Sequence, residues 1–272
     1  MTSLLWKLAV HAQSRLAHLS PVLRSLLLSG GGRGDAGVLR AARLFQLAAC
    51  SSLPATTLDA LFGVRDLPVT DLPVVQILPV GGSEAGGPLI MELLLLAGLV
   101  RRIAPKTILE IGTYMGRGTW HLFHNAPNDA VIYTIDLPDG ELPGGITDSE
   151  MARNKGRRFV PCSDRVRQIL VDMRKWDAVL ERPVQFAFID ASHSYSDVKN
   201  DTDKVRRVLD EDACICWHDS LWRDDGYGVY RYLEEARSRG MDIFRVQEPL
   251  ELSSIAIWLS PKCMQRTGLR PR

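Results

Sequence analysis

The stretch that most constrains this chain is Thr107 to Trp120, which reads TILEIGTYMGRGTW. Ile108, Leu109 and Ile111 surround Glu110 in the pattern of a short buried strand, and the glycines behind them switch the chain into a helix. Gly112 and Gly116 remove Cβ atoms where the backbone turns sharply and approaches something closely. The next helix presents its unpaired N–H groups and the positive end of its dipole at the same place. Strand, glycine turn and helix in that order form a ligand-holding unit of an α/β fold. The spacing is Glu110-x-Gly112-x-x-x-Gly116-x-x-Thr119, without the G-x-G of a dinucleotide fingerprint, so a nicotinamide oxidoreductase is disfavoured.

Further units follow the first. Ala130–Ile135 (AVIYTI) reads as a second buried strand ending at Asp136, and Val166–Val171 as a third ending at Asp172-Met173. Val184–Ile189 (VQFAFI) is a fourth, ending in Asp190-Ala191-Ser192-His193, and Ala213–Trp217 a fifth, ending in His218-Asp219-Ser220. Helices are expected before the first strand, where Leu89, Leu93, Leu96, Val100 and Ile103 share a face and Pro105 stops the run, and over about 196–209 and 228–238. Two closing strands, Ile243–Val246 and Ser254–Leu259, are joined closely enough for an antiparallel hairpin. Strands alternating with helices require a mostly parallel sheet, and ligands of such sheets bind outside the carboxyl ends of the strands. Glu110, Asp136, Asp172, Asp190 and Asp219 all fall at such ends.

Outside this core the signals are weaker. Residues 3–28 and 38–50 carry apolar positions at helical spacing, separated by a glycine-rich linker at 30–35, and could cap the main domain, form a dimer contact or cover a substrate. Residues 54–80, with two Leu-Pro pairs, read as extended irregular chain. The Gly-, Pro- and charge-rich run from Leu137 to Arg158 is long enough for an active-site loop. Trp217, Trp222 and Tyr227 could wall a ring-shaped ligand, though packing is the commoner use of such residues. The formal charge of +1 and the lack of a dense basic block argue against nucleic acid. Five scattered cysteines without C-x-x-C spacing read as reduced thiols of a cytoplasmic protein, Cys214 and Cys216 sharing one face of a core strand. The most apolar stretch, 89–100, contains Glu92 and is shorter than the about 20 residues of a membrane span.

The turn from Glu110 to Thr119 resembles motif I of class I S-adenosylmethionine-dependent methyltransferases. The strings FIDASHSYSDVKND, CICWHDS and GVYRYLEE resemble the branch of that class containing the cephalosporin-pathway and macrolide-sugar O-methyltransferases, a likeness running from about Glu84 to Leu259. The resemblance implies a Rossmann-like, seven-stranded, mostly parallel sheet with helices on both faces and an antiparallel last strand. The expected division is an N-terminal helical extension over 1–83 and a methyltransferase domain over 84–272. It implies S-adenosyl-L-methionine as cofactor, contacted by Glu84, Glu110, Gly112, Tyr114, Gly116, Thr119, Asp136, Asp172 and Asp190. Asp136 would accept from both ribose hydroxyls, since one carboxylate offers two oxygens to two donors.

Members of that branch bind a divalent metal through the aspartate of D-x-x-H and an acidic pair after the next strand, with the histidine as base. Carried over, Asp190 and Asp219 are metal ligands and His193 is the base. His218 departs from the pattern by standing where relatives carry an acid. The expected divalent metal is Mg²⁺ if oxygen ligands dominate or Mn²⁺ if His218 is a third ligand, since imidazole ligates Mg²⁺ poorly and Mn²⁺, Fe²⁺ or Zn²⁺ well; alternatively His218 is itself the base. The resulting expectation is O-methylation of a small-molecule hydroxyl on a sugar, polyol or phenol, with the N-terminal helices as the surface for any homo-oligomer. The alternatives are a metal-independent N- or C-methyltransferase and a non-catalytic cofactor-binding partner.

Overall fold

The computed structural model describes residues 52–62, 88, 90–138, 159–223, 226–247 and 252–270. The chain there runs β1 (Ala55–Thr56), α1 (Leu58–Phe62), α2 (Ile90–Ile103), β2 (Thr107–Ile111), α3 (Arg117–Asn125), β3 (Val131–Asp136) and β4 (Val166–Leu170). It continues through β5 (Val184–Ile189), α4 (Tyr195–Val208), β6 (Leu209–Trp217), α5 (Val229–Ser238), β7 (Ile243–Gln247), β8 (Leu252–Leu259) and α6 (Pro261–Thr267). The expected helices between residues 3 and 50, Glu84 and residues 139–158 of the expected loop lie outside the described residues.

One mixed sheet has the order β1-β7-β8-β6-β5-β2-β3-β4. All pairings are parallel except those of β8, which runs antiparallel to both β6 and β7. Seven strands are the expected ones, and β8 sits inside the sheet between β6 and β7. The eighth, β1, adds a parallel edge with Ala55 opposite Arg245 and Thr56 opposite Val246. Two residues are too few to show a period of two, which is why 54–80 read only as irregular chain. This part of the segment before residue 84 therefore belongs to the sheet.

Strand alternation divides the core in two. Ile108, Phe186, Phe188, Cys214, Cys216 and Ile257 face one side, where Leu96, Val100 and Ile103 of α2, Leu122 of α3 and Cys263 of α6 cover them. Leu109, Ile111, Ala187, Ile189, Ile215 and Trp217 face the other, under Val198 and Val205 of α4 and Leu233 of α5. Cys214 and Cys216 are thus core residues on one face, as their spacing required, and the described cysteines are free thiols. No described helix is long and apolar enough to cross a membrane.

The strand ends that matter are brought level by ladder bonds continued one residue past each strand. Gly112 N–H donates to Ile135 O (2.8 Å), Asp190 N–H to Ile111 O (2.8 Å) and His218 N–H to Ile189 O (3.0 Å). Ser194 caps α4 by accepting from Asp197 N–H, so the helix begins two residues beyond His193 and fixes the short loop that carries it.

Gly118 lies within α3, where a Cβ would come 2.3 Å from Glu110 Oε1. That carboxylate is enclosed and held by two threonines, so it cannot give way. Helix propensity alone would favour alanine by about 1 kcal/mol. The clash is expected to win, so Gly118→Ala should lower the stability of the protein by about 1–2 kcal/mol in urea unfolding. An alanine variant as stable as the wild type would contradict this packing.

Candidate active site

The glycine turn after β2 is shaped by its neighbours. Gly112 has φ +99°, and a Cβ there would lie 2.0 Å from Asp190 O; Gly116 has φ +85°, with Val160 Cγ2 2.5 Å from its absent Cβ. Side chains at either position are excluded by conformation and by space. Between them Tyr114 adopts φ 47°, and its N–H donates to Asp136 Oδ2 (2.8 Å), while Asp136 Oδ1 accepts from Leu137 N–H (2.7 Å). Asp136 therefore clamps the turn, one carboxylate oxygen to each of two backbone donors.

Glu110 and Thr119 lie beneath the turn and are 1% and 0% exposed. Glu110 Oε2 accepts from the hydroxyls of Thr119 and Thr134 (2.6 Å to the latter), and Thr134 Oγ1 lies 2.6 Å from Thr113 Oγ1. Burial pushes the Glu110 carboxyl up to about 8, against the pull of the two hydroxyl donors. These side chains are enclosed and brace the turn from below. Asp172 accepts from Arg174 N–H (2.9 Å) through Oδ1, and its carbonyl accepts from Lys175 and Trp176, which makes it the cap of the turn after β4.

The second group of expected residues meets at the ends of β5 and β6. His193 Nε2 donates to Asp219 Oδ2 (2.9 Å). His218 Nδ1 lies 3.1 Å from Asp190 Oδ1 and 3.1 Å from Asp219 Oδ2. Donor atoms of Asp190, His193 and Asp219 all fall within 4.8 Å of one another, a spacing open to a metal ion. Asp219 has φ 56°, the left-handed region that a non-glycine residue adopts at some cost and that recurs at functional sites.

Electrostatics follow from enclosure. Burial alone would push His218 down, but Asp190, Glu92 and Asp219 outweigh it and hold the ring well above the ordinary histidine range. Burial would likewise push Asp219 up, and His218 and His193 hold it well below the usual carboxylate range. For His193, burial again pushes down, and the Asp219 hydrogen bond and charge carry it above its ordinary value.

Sequence reading missed three contributors, Glu92, Ser254 and Gly228. Glu92, from the most apolar stretch of the chain, is 1% exposed; its Oε2 lies 2.9 Å from His218 Nε2, and its Oε1 accepts from Ser254 N–H (2.6 Å) and Ser254 Oγ (2.7 Å). A glutamate alone in an apolar helix is the signal that could have found it, since such a charge needs a partner. Gly228 is the third: a Cβ there would be 2.3 Å from Tyr195 N, and Gly228 N–H donates to His193 O (2.6 Å). This closeness lays Tyr227, one of the three aromatic residues singled out in the sequence, flat on His193, with ring centroids 4.7 Å apart and 7° between planes. Tyr227 and Trp222 flank the site together, whereas Trp217 is fully enclosed and donates from Nε1 to Thr202 Oγ1 (2.9 Å), so it packs in the core beneath them. A small cavity beside them is bordered by Asp190, His193, Val198, Trp217 and His218.

Residues 109–220 match a family model described as a methyltransferase domain. A curated relative from Sinorhizobium fredii (strain NBRC 101917 / NGR234), the uncharacterized protein y4gI, is 27% identical over 146 residues, which are 50% of this chain; the chain spans 16% of that relative's length. Among solved structures, the O-methyltransferase TomG of Streptomyces achromogenes, involved in tomaymycin synthesis and in complex with S-adenosylmethionine, is 18% identical with a TM-score of 0.49, over 64% of this chain and 81% of that one. An O-methyltransferase from Bacillus cereus in complex with S-adenosylhomocysteine is 15% identical with a TM-score of 0.49, over 80% of this chain and 90% of that one.

The buried carboxyl of Glu110 carries a stability signature. Unfolded, it loses its proton near 4.5; folded, it keeps it to about 8, so the native state binds more protons in that window and stability falls as pH rises through it. Glu110→Gln removes this titration. The stability of the glutamine variant minus that of the wild type should therefore increase between pH 5 and pH 8.5, and a difference independent of pH would contradict the assignment.

Proposed function

We propose, from the match of residues 109–220 to a family model described as a methyltransferase domain, that the chain is a class I S-adenosylmethionine-dependent methyltransferase and transfers the cofactor's methyl group to a hydroxyl oxygen of a small molecule, a sugar, polyol or phenol. The observation that carries this reading is the gathering of Asp190, His193 and Asp219 donor atoms within 4.8 Å, on strands whose ends adjoin the Gly112 turn. In the proposed arrangement the methionine part of the cofactor passes the turn at Gly112 and Gly116, and Asp136 accepts from the ribose hydroxyls. Glu110 and Thr119 support the turn without needing to touch the ligand.

The sulfonium methyl is already electrophilic, so the protein's task is to align an oxygen in line with the S–CH₃ bond and remove its proton. His193 is the proposed base. It is the more open of the two imidazoles, with 34% side-chain exposure against 6% for His218, and Asp219 and the Tyr227 ring fix its plane. In the step itself the oxygen's electron pair forms the new O–CH₃ bond, the S–CH₃ pair returns to sulfur, and the proton passes to His193. S-adenosylhomocysteine and the methyl ether are the products.

The residues also fit a divalent cation. His218 Nδ1 is enclosed, and among the described residues no hydrogen bond of workable geometry reaches it, although two carboxylate oxygens stand 3.1 Å away. Asp190, Asp219 and His218 Nδ1 would hold the ion, and such an ion lowers the pKa of a hydroxyl bound to it. A proton and a metal are alternatives at that nitrogen.

Calorimetric titration with S-adenosylhomocysteine should show micromolar binding, weakened at least about tenfold by Asp136→Ala, which removes the ribose acceptor. With methyl-labelled S-adenosylmethionine and a panel of polyols and phenols, His193→Ala should lose about 10²–10⁴ in rate while keeping its affinity for S-adenosylhomocysteine. A purified protein that binds no S-adenosylhomocysteine, or a His193 variant that turns over at full rate, would sink the proposal.

A further inference from the structure

Glu92 stands apart from the residues that the methyltransferase resemblance marks. It precedes the matched segment, sits in the first turn of α2 and is 1% exposed, and its polar contacts among the described residues include one with His218 and two with Ser254. A buried carboxylate so fully engaged is costly to keep unless it orients something. What it orients is an imidazole whose other nitrogen points among the strand-end carboxylates.

We propose that Glu92 is a positioning residue that makes His218 a metal ligand: it accepts the Nε2 proton of His218 and so presents Nδ1, with its lone pair, to a divalent cation shared with Asp190 and Asp219. The inference rests on the functional reading above, in which that cluster faces the methyl-accepting hydroxyl. Three observations carry it. First, Glu92 Oε1 is occupied by two donors of Ser254, so Oε2 is held in place against Nε2 at 2.9 Å. Metal-bound histidines commonly donate their second N–H to a carboxylate in this way, which sets the tautomer and raises ligand basicity.

Second, among the described residues no hydrogen bond of workable geometry reaches the enclosed His218 Nδ1, and the residue is only 6% exposed. Third, the two 3.1 Å separations from Asp190 and Asp219 match the edge length of a coordination shell, since ligands about 2.1 Å from one ion lie about 3 Å apart. With nitrogen standing where an all-oxygen set would suit Mg²⁺, the site favours Mn²⁺ or Fe²⁺. His193 remains outside the ligand set in this arrangement, held by Asp219 and the Tyr227 ring beside the ion's open positions.

Glu92→Gln tests the device directly. The amide keeps the size of the side chain and an oxygen for Ser254, but turns an N–H₂ group toward Nε2 and favours the tautomer with the proton on Nδ1. Mn²⁺ titration followed by electron paramagnetic resonance should give one site in the wild type, with affinity about 10–100-fold weaker in Glu92→Gln. Pulsed spectra should show a directly bound nitrogen that persists in His193→Ala and disappears in His218→Ala. Glu92→Gln affinity within twofold of the wild type would overturn the proposal. So would nitrogen coupling lost in His193→Ala and kept in His218→Ala, or a wild type without a Mn²⁺ site.

Thermal melting of each variant separates loss of the fold from loss of the ligand, and His193→Ala reads the bound nitrogen with Glu92 untouched. S-adenosylhomocysteine titration of the same samples reads the functional assignment separately. A wild type that binds Mn²⁺ with the expected dependence on Glu92, but not S-adenosylhomocysteine, would overturn that assignment and support the metal ligand.

Discussion

The constraint on which the rest of the site depends is the enclosure of three carboxylates around one imidazole. Glu92, Asp190 and Asp219 reach His218 from α2, from the end of β5 and from the residue beside it, and each lies within 3.1 Å of a ring nitrogen. Charges so placed are expensive unless they compensate one another, and removing one partner from such a group costs more than the group as a whole contributes. The ring therefore ties α2 to the centre of the sheet. Ser254 extends the tie to β8, since it donates twice to Glu92 while its carbonyl accepts from Ser220 just past β6.

The glycine turn and the acidic cluster are one construction. The absent Cβ of Gly112 is what lets the turn lie against the Asp190 carbonyl, so the end of β2 and the end of β5 meet without a side chain between them. Gly228 does the same on the far side, where α5 closes onto the loop that carries His193 and brings Tyr227 over the ring. Both close approaches are between backbones, and neither leaves room for adjustment. A ligand passing the turn and an oxygen beside His193 would thus be held by a rigid frame, which is what in-line transfer demands.

How much of this could be read in the chain differs from part to part. The strands were legible because buried parallel strands are apolar throughout: VQFAFI became β5 without a shift at either end. The acids closing β3, β5 and β6 were legible because a charge directly after an apolar run has few other reasons to be there. Glu92 was hidden by the opposite circumstance, since one acid inside an apolar helix counts against a membrane span and says nothing about where it points. Its partners are 126 and 162 residues away, and only the fold brings them together. Strand β1 was hidden by its length, and the stacking of Tyr227 on His193 by its dependence on Gly228, a residue whose need for space shows only when Tyr195 is seen beside it.

The account predicts one site with two occupied halves, and a crystal structure of the protein grown with S-adenosylhomocysteine and Mn²⁺ would test it most directly. The expected result is the nucleoside at Asp136, the homocysteine along the Gly112 turn, and an anomalous peak about 2.2 Å from His218 Nδ1 and from oxygens of Asp190 and Asp219. A nucleoside seated away from the ends of β2 and β3, or His218 still in contact with both carboxylates and no metal between them, would contradict it.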